Sequence, residues 1–184
     1  VLVSILIINS NISPYFLDLY NLIDSTFLFS EKAIIALTMT FVIIARQIDL
    51  SVASIIAVSS VVLGYTTSLG YDTWLVLLLT LLSGTLCGAF NGAIITKFAI
   101  PSIIVTIGTM SLFRGLAYSF LEDSYYNKFP KLVGKLGGGY LYGYIPYAFL
   151  TFILLAFVFA FILHKTSIGK KIYSIGNNPD AAQY

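Results

Sequence analysis

Apolar residues in this chain come in unbroken runs of about twenty, the length at which a helix rising about 1.5 Å per residue crosses a hydrocarbon layer of roughly 30 Å. Leu50 to Leu69, Trp74 to Thr96, Phe98 to Leu121 and Tyr144 to Leu163 reach or approach that length. Ala33 to Ala45 is a shorter run, and Val1 to Ile8 reads as the end of one already under way. Membrane spans are therefore expected near 1–8, 33–45, 50–69, 74–96, 98–121 and 144–163, in a single transmembrane domain over 1–184 with 164–184 outside the bilayer. Barrel strands would alternate apolar and polar residues, and these runs do not, so the expected class is all-α, a polytopic helical membrane protein. A start at Val1, without Met, polar leader or signal layout, leads to the expectation of a fragment.

Composition narrows the function classes. Hydrophobic residues make up 58% of the chain and charged ones 10%, with a mean hydropathy of +0.93. A net charge of +2 offers no electrostatic basis for binding nucleic acid. The single Cys87 excludes an intrachain disulfide. His164, beside Lys165 just past an apolar run, reads as a solvated interfacial residue, and no metal site is expected.

If successive runs cross alternately, the loops form two sets. One holds Arg46, Lys97, Lys165, Lys170 and Lys171 with Asp49 and Asp180; it is net basic. The other holds Lys32, Lys128, Lys131 and Lys135 with Asp18, Asp24, Glu31, Asp72, Glu122 and Asp123; it is net acidic. The positive-inside rule assigns the first set, and with it the segment from His164 onward, to the cytoplasm. Glu122 to Tyr144, with its tyrosines, glycines and Pro130, is then the longest exterior loop. Its tyrosines suit the headgroup boundary.

The residues that interrupt the runs carry the functional information. Arg46-Gln47-Ile48-Asp49-Leu50-Ser51-Val52-Ala53-Ser54 puts a carboxylate, a guanidinium and hydroxyls between two apolar stretches. Two readings compete: an interfacial turn with Asp49 or Ser51 capping the next helix, and a broken helix aimed into a substrate path. Gly84, Gly88 and Gly92 are spaced by four on one helix face, which in lipid favours close helix packing. Pro101 is expected in the first turn of a helix along which Ser102, Thr106, Thr109 and Phe113 recur at helical spacing. Ser102, Thr106 and Thr109 either line a polar groove or bond back to their own helix. Arg114, well along its run and near the exterior boundary, either snorkels or pairs with Glu122 or Asp123. Near the end, Gly176-Asn177-Asn178-Pro179-Asp180-Ala181-Ala182 reads as a turn followed by a short cytoplasmic helix, with Asn178 at the N-cap, Pro179 at the first position and Gly176 allowing the approach.

In order along the chain, Ile48-Asp49-Leu50-Ser51-Val52, Phe90-Asn91-Gly92, Ile100-Pro101-Ser102-Ile103-Ile104-Val105-Thr106-Ile107-Gly108-Thr109-Met110 with Phe113-Arg114-Gly115, and Thr166-Ser167-Ile168-Gly169-Lys170 with Gly176 to Ala182 resemble the permease subunits of bacterial ABC importers for simple sugars. That family includes the ribose, xylose, rhamnose and autoinducer-2 permeases. The resemblance implies the N-terminal part of a roughly ten-helix permease in the bacterial plasma membrane. It also implies a second permease subunit, a cytoplasmic ATPase holding ATP and Mg, and an extracytoplasmic sugar-binding protein. This chain itself would hold no cofactor. Carried over residue by residue, it makes Gly176, Asn177, Asn178, Pro179, Asp180, Ala181 and Ala182 the segment that docks on the ATPase. Asp49, Ser51, Asn91, Thr106 and Thr109 become candidates for the substrate path. No nucleotide-binding Gly-rich loop with Lys and Ser/Thr is present, so ATP hydrolysis would belong to the partner. The alternatives are an ion-coupled secondary transporter, for which only Asp49 offers an intramembrane acid, a truncated remnant without activity, and an intramembrane enzyme, for which the spans supply no paired acids.

Overall fold

A computed structural model describes residues 1–122 and 125–178. The chain is a polytopic helical membrane protein. Its order is α1 (Leu2–Ile12), α2 (Leu19–Ile44), α3 (Val52–Ser68), α4 (Thr73–Phe98), α5 (Ser102–Leu121), α6 (Lys131–Gly138), a minimal hairpin β1 (Tyr140–Leu141) and β2 (Ile145–Pro146), α7 (Tyr147–Lys165) and α8 (Ser167–Asn177). Among the described residues α2, α4, α5 and α7 are long and apolar enough to cross a bilayer, whereas α1 and α3 are shorter.

Local chemistry sets some of the helix ends. Asp18 accepts from the Tyr20 backbone N–H at 3.2 Å and Asp72 from that of Trp74 at 2.9 Å, meeting donors that a helix start leaves free. Gly70, at φ +75°, turns the chain between α3 and α4. Lys97 lies in the last turn of α4, where a cation suits the helix dipole, and the helix stops at Ala99 in the left-handed region.

Several expected boundaries move. The run 33–45 belongs to a helix that starts at Leu19, so Asp24, Glu31 and Lys32 lie within α2 and not in an exterior loop. The run 50–69 yields a helix of 17 residues, because Gln47 to Leu50 is not helical. Lys97 is helical rather than a break, and Pro101 precedes α5 with extended backbone (φ −53°, ψ 133°) rather than entering its first turn. The expected exterior loop contains α6 and the hairpin. At the C-terminal end, α8 begins at Ser167 and already includes Gly176 and Asn177, which were expected in a turn, while the short helix expected from Pro179 onward lies outside the described residues.

Contacts divide the chain into two compact units: Val1–Thr40 with Gly134–Ile172, and Phe41–Val133 with Tyr173–Tyr184. The first is organised by aromatic side chains. Phe29 meets Phe152 edge-on at 6.0 Å, Phe27 stacks on Tyr140 at 6.2 Å, and the Tyr140 hydroxyl donates to Asp24 at 3.1 Å. Desolvation, reinforced by that hydrogen bond to the carboxylate, pushes the Tyr140 hydroxyl above its ordinary pKa.

The second unit is built on α3, which packs mainly against α4 and α5. Apolar burial drives little helix association in lipid, so small residues that permit close approach matter more. A Cβ on Gly84 would sit 3.1 Å from the Ser59 hydroxyl, and Ser83 bonds Ser59 at 3.4 Å, fixing α4 on α3. Gly88 and Gly92, on the same stripe, have no atom within 4 Å of a built Cβ. The buried face of α5 carries Ser102, Val105, Thr106, Thr109, Phe113 and Ala117, a stripe at helical spacing. Phe113 closes it against Phe90 of α4, with ring centroids 6.2 Å apart.

Candidate functional site

Two features stand out in the second unit: a buried polar clamp and a cavity. The clamp arises because the chain between α2 and α3 leaves the helix while packed among apolar spans, where every backbone donor and acceptor needs a protein partner. Helix α5 supplies both at Ile48. The Ser102 hydroxyl accepts from the Ile48 N–H at 3.1 Å, and the Thr106 hydroxyl donates to the Ile48 carbonyl at 3.4 Å. Two side chains one turn apart thus replace the missing helix bonds.

Ser51 ties the same segment to α4. Its hydroxyl donates to Asp49 Oδ1 at 2.6 Å and accepts from Asn91 Nδ2 at 2.8 Å, and its backbone N–H also donates to Asp49 Oδ1 at 2.8 Å. Asp49 therefore caps its own turn. Ser51 occupies the N-cap position of α3 but makes no side-chain cap bond. Ser51 is fully buried, Thr106 is 1% exposed and Asn91 4%; Asp49 is half-buried. Asn91 Oδ1 is buried without a hydrogen-bond partner among the described residues. Thr109 lies on the same face of α5 one turn onward and, among the described residues, bonds the Thr106 carbonyl of its own helix at 3.5 Å. Asp49, Ser51, Asn91 and Thr106 thus meet around one segment, with Thr109 adjacent.

Counting from Trp74 at about 1.5 Å per residue, Asn91 is about 26 Å along α4, towards the C-terminal end of that helix.

The cavity, of about 640 Å³, lies between α3, α5 and the segment 125–129. Ala53, Ala57 and Val61 form its α3 wall with Ser60, Arg114, Ala117 and Tyr118 belong to the α5 side, and Tyr125, Tyr126 and Phe129 line the remaining side, leaving it open. None of the clamp side chains lines it. A second hollow of about 340 Å³, lined by Gly64, Thr67, Ser68, Asn127 and Lys128, shares Tyr125 and Tyr126 with the first. The two tyrosines form a partition between them. Gly64 makes this partition possible, because a Cβ there would stand 2.6 Å from Tyr126 Cβ, Cγ and Cδ2.

Arg114 is the one cavity residue that sequence reasoning singles out. It misses Ser60, Tyr118, Tyr125, Tyr126 and Phe129, which come from separate stretches with no shared motif. The tyrosine-rich composition of the segment after α5 is the one signal that points to them, and a headgroup boundary accounts for it equally well. No group of three or more His, Cys, Asp or Glu suited to a metal ion occurs among the described residues.

Residues 21–184 match the family described as "Branched-chain amino acid transport system / permease component". The chain belongs to this permease family. It is 35% identical over 150 residues to the autoinducer 2 import system permease protein LsrC of Escherichia coli (strain K12 / DH10B), covering 82% of this chain and 44% of the relative. It is 33% identical over 183 residues to the LsrD protein of Klebsiella pneumoniae subsp. pneumoniae, covering 94% and 54%. LsrC of Photorhabdus laumondii is 34% identical over 167 residues, with 89% and 50% covered. The chain spans about half the length of the curated relatives it matches. No solved structure matches.

The family description and the relatives' names refer to different cargoes, so family membership leaves the solute open. In this permease the C-terminal segment expected to contact a partner is only partly described. Gly176 lies in α8, where a Cβ would collide with the Ile44 carbonyl at the end of α2. Asn177 ends the helix and Asn178 follows it. Pro179, Asp180, Ala181 and Ala182 lie outside the described residues.

Proposed function

We propose that the chain forms part of the transmembrane subunit of an ATP-driven importer that carries a monosaccharide or related small hydroxylated solute across the bacterial plasma membrane. The observation that carries this reading is its similarity, at 33–35% identity over most of its length, to import-system permeases. In this reading a second permease subunit completes the path, an extracytoplasmic binding protein delivers the solute, and a cytoplasmic ATPase supplies ATP hydrolysis with its own Mg. The segment Gly176 to Ala182 docks on that ATPase, and its contact with the end of α2 passes movement towards the clamp.

Within this scheme the solute moves from the smaller hollow to the larger cavity when Tyr126 leaves Gly64. The clamp acts as a rigid support: Asp49, Ser51, Asn91 and Thr106 hold the start of α3 against α4 and α5, so that α3 moves with its neighbours. Rocking of the packed helices exposes the cavity to each side in turn, with discrete states favoured over gradual deformation because the helices are close-packed.

The test is uptake of radiolabelled ribose, xylose, rhamnose, autoinducer 2 and D-galacturonate in the organism that encodes the chain, with and without its gene. Loss of uptake of one solute on deletion, restored by the gene, is expected. That uptake should cease on ATP depletion and persist when a protonophore collapses the ion gradient. The converse energy dependence overturns the ATP-driven reading in favour of ion coupling, and unchanged uptake of every solute overturns the substrate class.

A further inference from the structure

The larger cavity has an electrostatic character that family membership does not supply. Arg114 is its one charged side chain, and no carboxylate lines it among the described residues. Along α5 the Arg114 backbone is about 18 Å from Ser102 and about 10 Å short of Leu121, so the charge arises well within the helix. A cation at such depth is costly unless it faces a cavity and finds an opposite charge or water. A cavity lies beside it, and among the described residues its lining holds no opposite charge.

The remaining polar groups suit an acceptor-rich ligand. A guanidinium offers N–H donors in a planar fork matched to an oxyanion and accepts no hydrogen bond. The hydroxyls of Ser60, Tyr118, Tyr125 and Tyr126 add O–H donors, while the Phe129 ring and the alanines of α3 offer apolar surface to a sugar's C–H face. About 640 Å³ is within the range of small-molecule sites.

We propose that this cavity selects an anionic hydroxylated solute of monosaccharide size, a sugar acid, by pairing its oxyanion with Arg114. The proposal rests on the cavity being part of the permease path. A phospholipid headgroup presents the same oxyanion chemistry, so the experiment separates a soluble solute from lipid.

The protein, with Cys87→Ser and a probe thiol at Ala57→Cys in the cavity wall, is placed in nanodiscs of zwitterionic lipid. It reacts with an anionic sulfonatoethyl or a cationic trimethylammonioethyl methanethiosulfonate, each rate normalised to that reagent's rate with a free thiol. The anionic reagent is expected to be favoured by about tenfold, as a fixed positive charge lining the same cavity would produce. Arg114→Gln should bring the ratio to near one, and Arg114→Lys should retain it, which distinguishes lost charge from lost fold. D-galacturonate should slow labelling by the anionic reagent where D-galactose at equal concentration does not, and Arg114→Gln should abolish that protection.

Equal normalised rates, a preference that survives Arg114→Gln, or equal protection by both sugars overturns the proposal. So does protection that appears without galacturonate when phosphatidylglycerol is added to the discs, which would assign the oxyanion to lipid. The readout involves no transport, so its failure is distinct from failure of the uptake experiment.

Discussion

Replacing Ser51 by alanine tests whether the clamp holds the start of α3. The hydroxyl is fully buried and links Asn91 Nδ2 at 2.8 Å with Asp49 Oδ1 at 2.6 Å. Its removal leaves the buried Asn91 amide without that acceptor, a loss of about 1–3 kcal/mol. Asp49 suffers less, because it is half-buried and keeps the Ser51 backbone N–H. Ser51→Ala should therefore cost about 2–3 kcal/mol. Asn91→Ala should cost about 1 kcal/mol, since it also removes a buried carbonyl oxygen that has no partner among the described residues. The double substitution should fall short of the sum by about 1–2 kcal/mol, the upper range for interhelical hydrogen bonds in membranes. Unfolding by sodium dodecyl sulfate titration in mixed micelles measures all three. Thr38→Ala is the control: that exposed hydroxyl bonds only the Ile35 carbonyl of its own helix, so its change should stay within about 0.5 kcal/mol. Additivity within about 0.5 kcal/mol, or a Ser51→Ala cost no larger than the control's, would refute the clamp.

Two further substitutions separate close approach from open space. Gly176→Ala drives a methyl group into the Ile44 carbonyl and should destabilise by about 1–3 kcal/mol, whereas Gly88→Ala meets nothing within 4 Å and should gain up to about 1 kcal/mol from helix propensity; thermal melting of the purified protein measures both. Gly64→Ala should displace Tyr126 and open the partition, seen as faster labelling of a thiol at Ser60→Cys in a Cys87→Ser background, while an unchanged rate would show that Tyr126 does not limit access.

Helix class and approximate span positions were legible in the sequence because continuous apolar runs admit few structures in a bilayer. Ends were less so. Nothing in the apolar run 33–45 reveals that its helix begins at Leu19, because the preceding Asp24, Ser25 and Thr26 make the stretch read as loop, although Ser25 and Thr26 bond back to carbonyls of their own helix. The polar residues at Asp49, Ser51, Asn91 and Thr106 were legible individually, with a choice left between capping and a path. Only the folded chain shows what they hold: Ser102 and Thr106 meet the Ile48 backbone, and Ser51 joins Asp49 to Asn91.

The sequence by itself determined that this protein spans a membrane as helices and, through its ordered motifs, to which family of permeases it belongs. Tertiary structure decided which polar residues touch and which surround a space. Pairing Ser51 with Asn91 requires α3 and α4 to meet at one level, and setting Arg114 beside a cavity requires α3, α5 and the tyrosines after α5 to converge. Neither follows from periodicity, which assigns a residue to a helix face but does not say which other helix that face will meet.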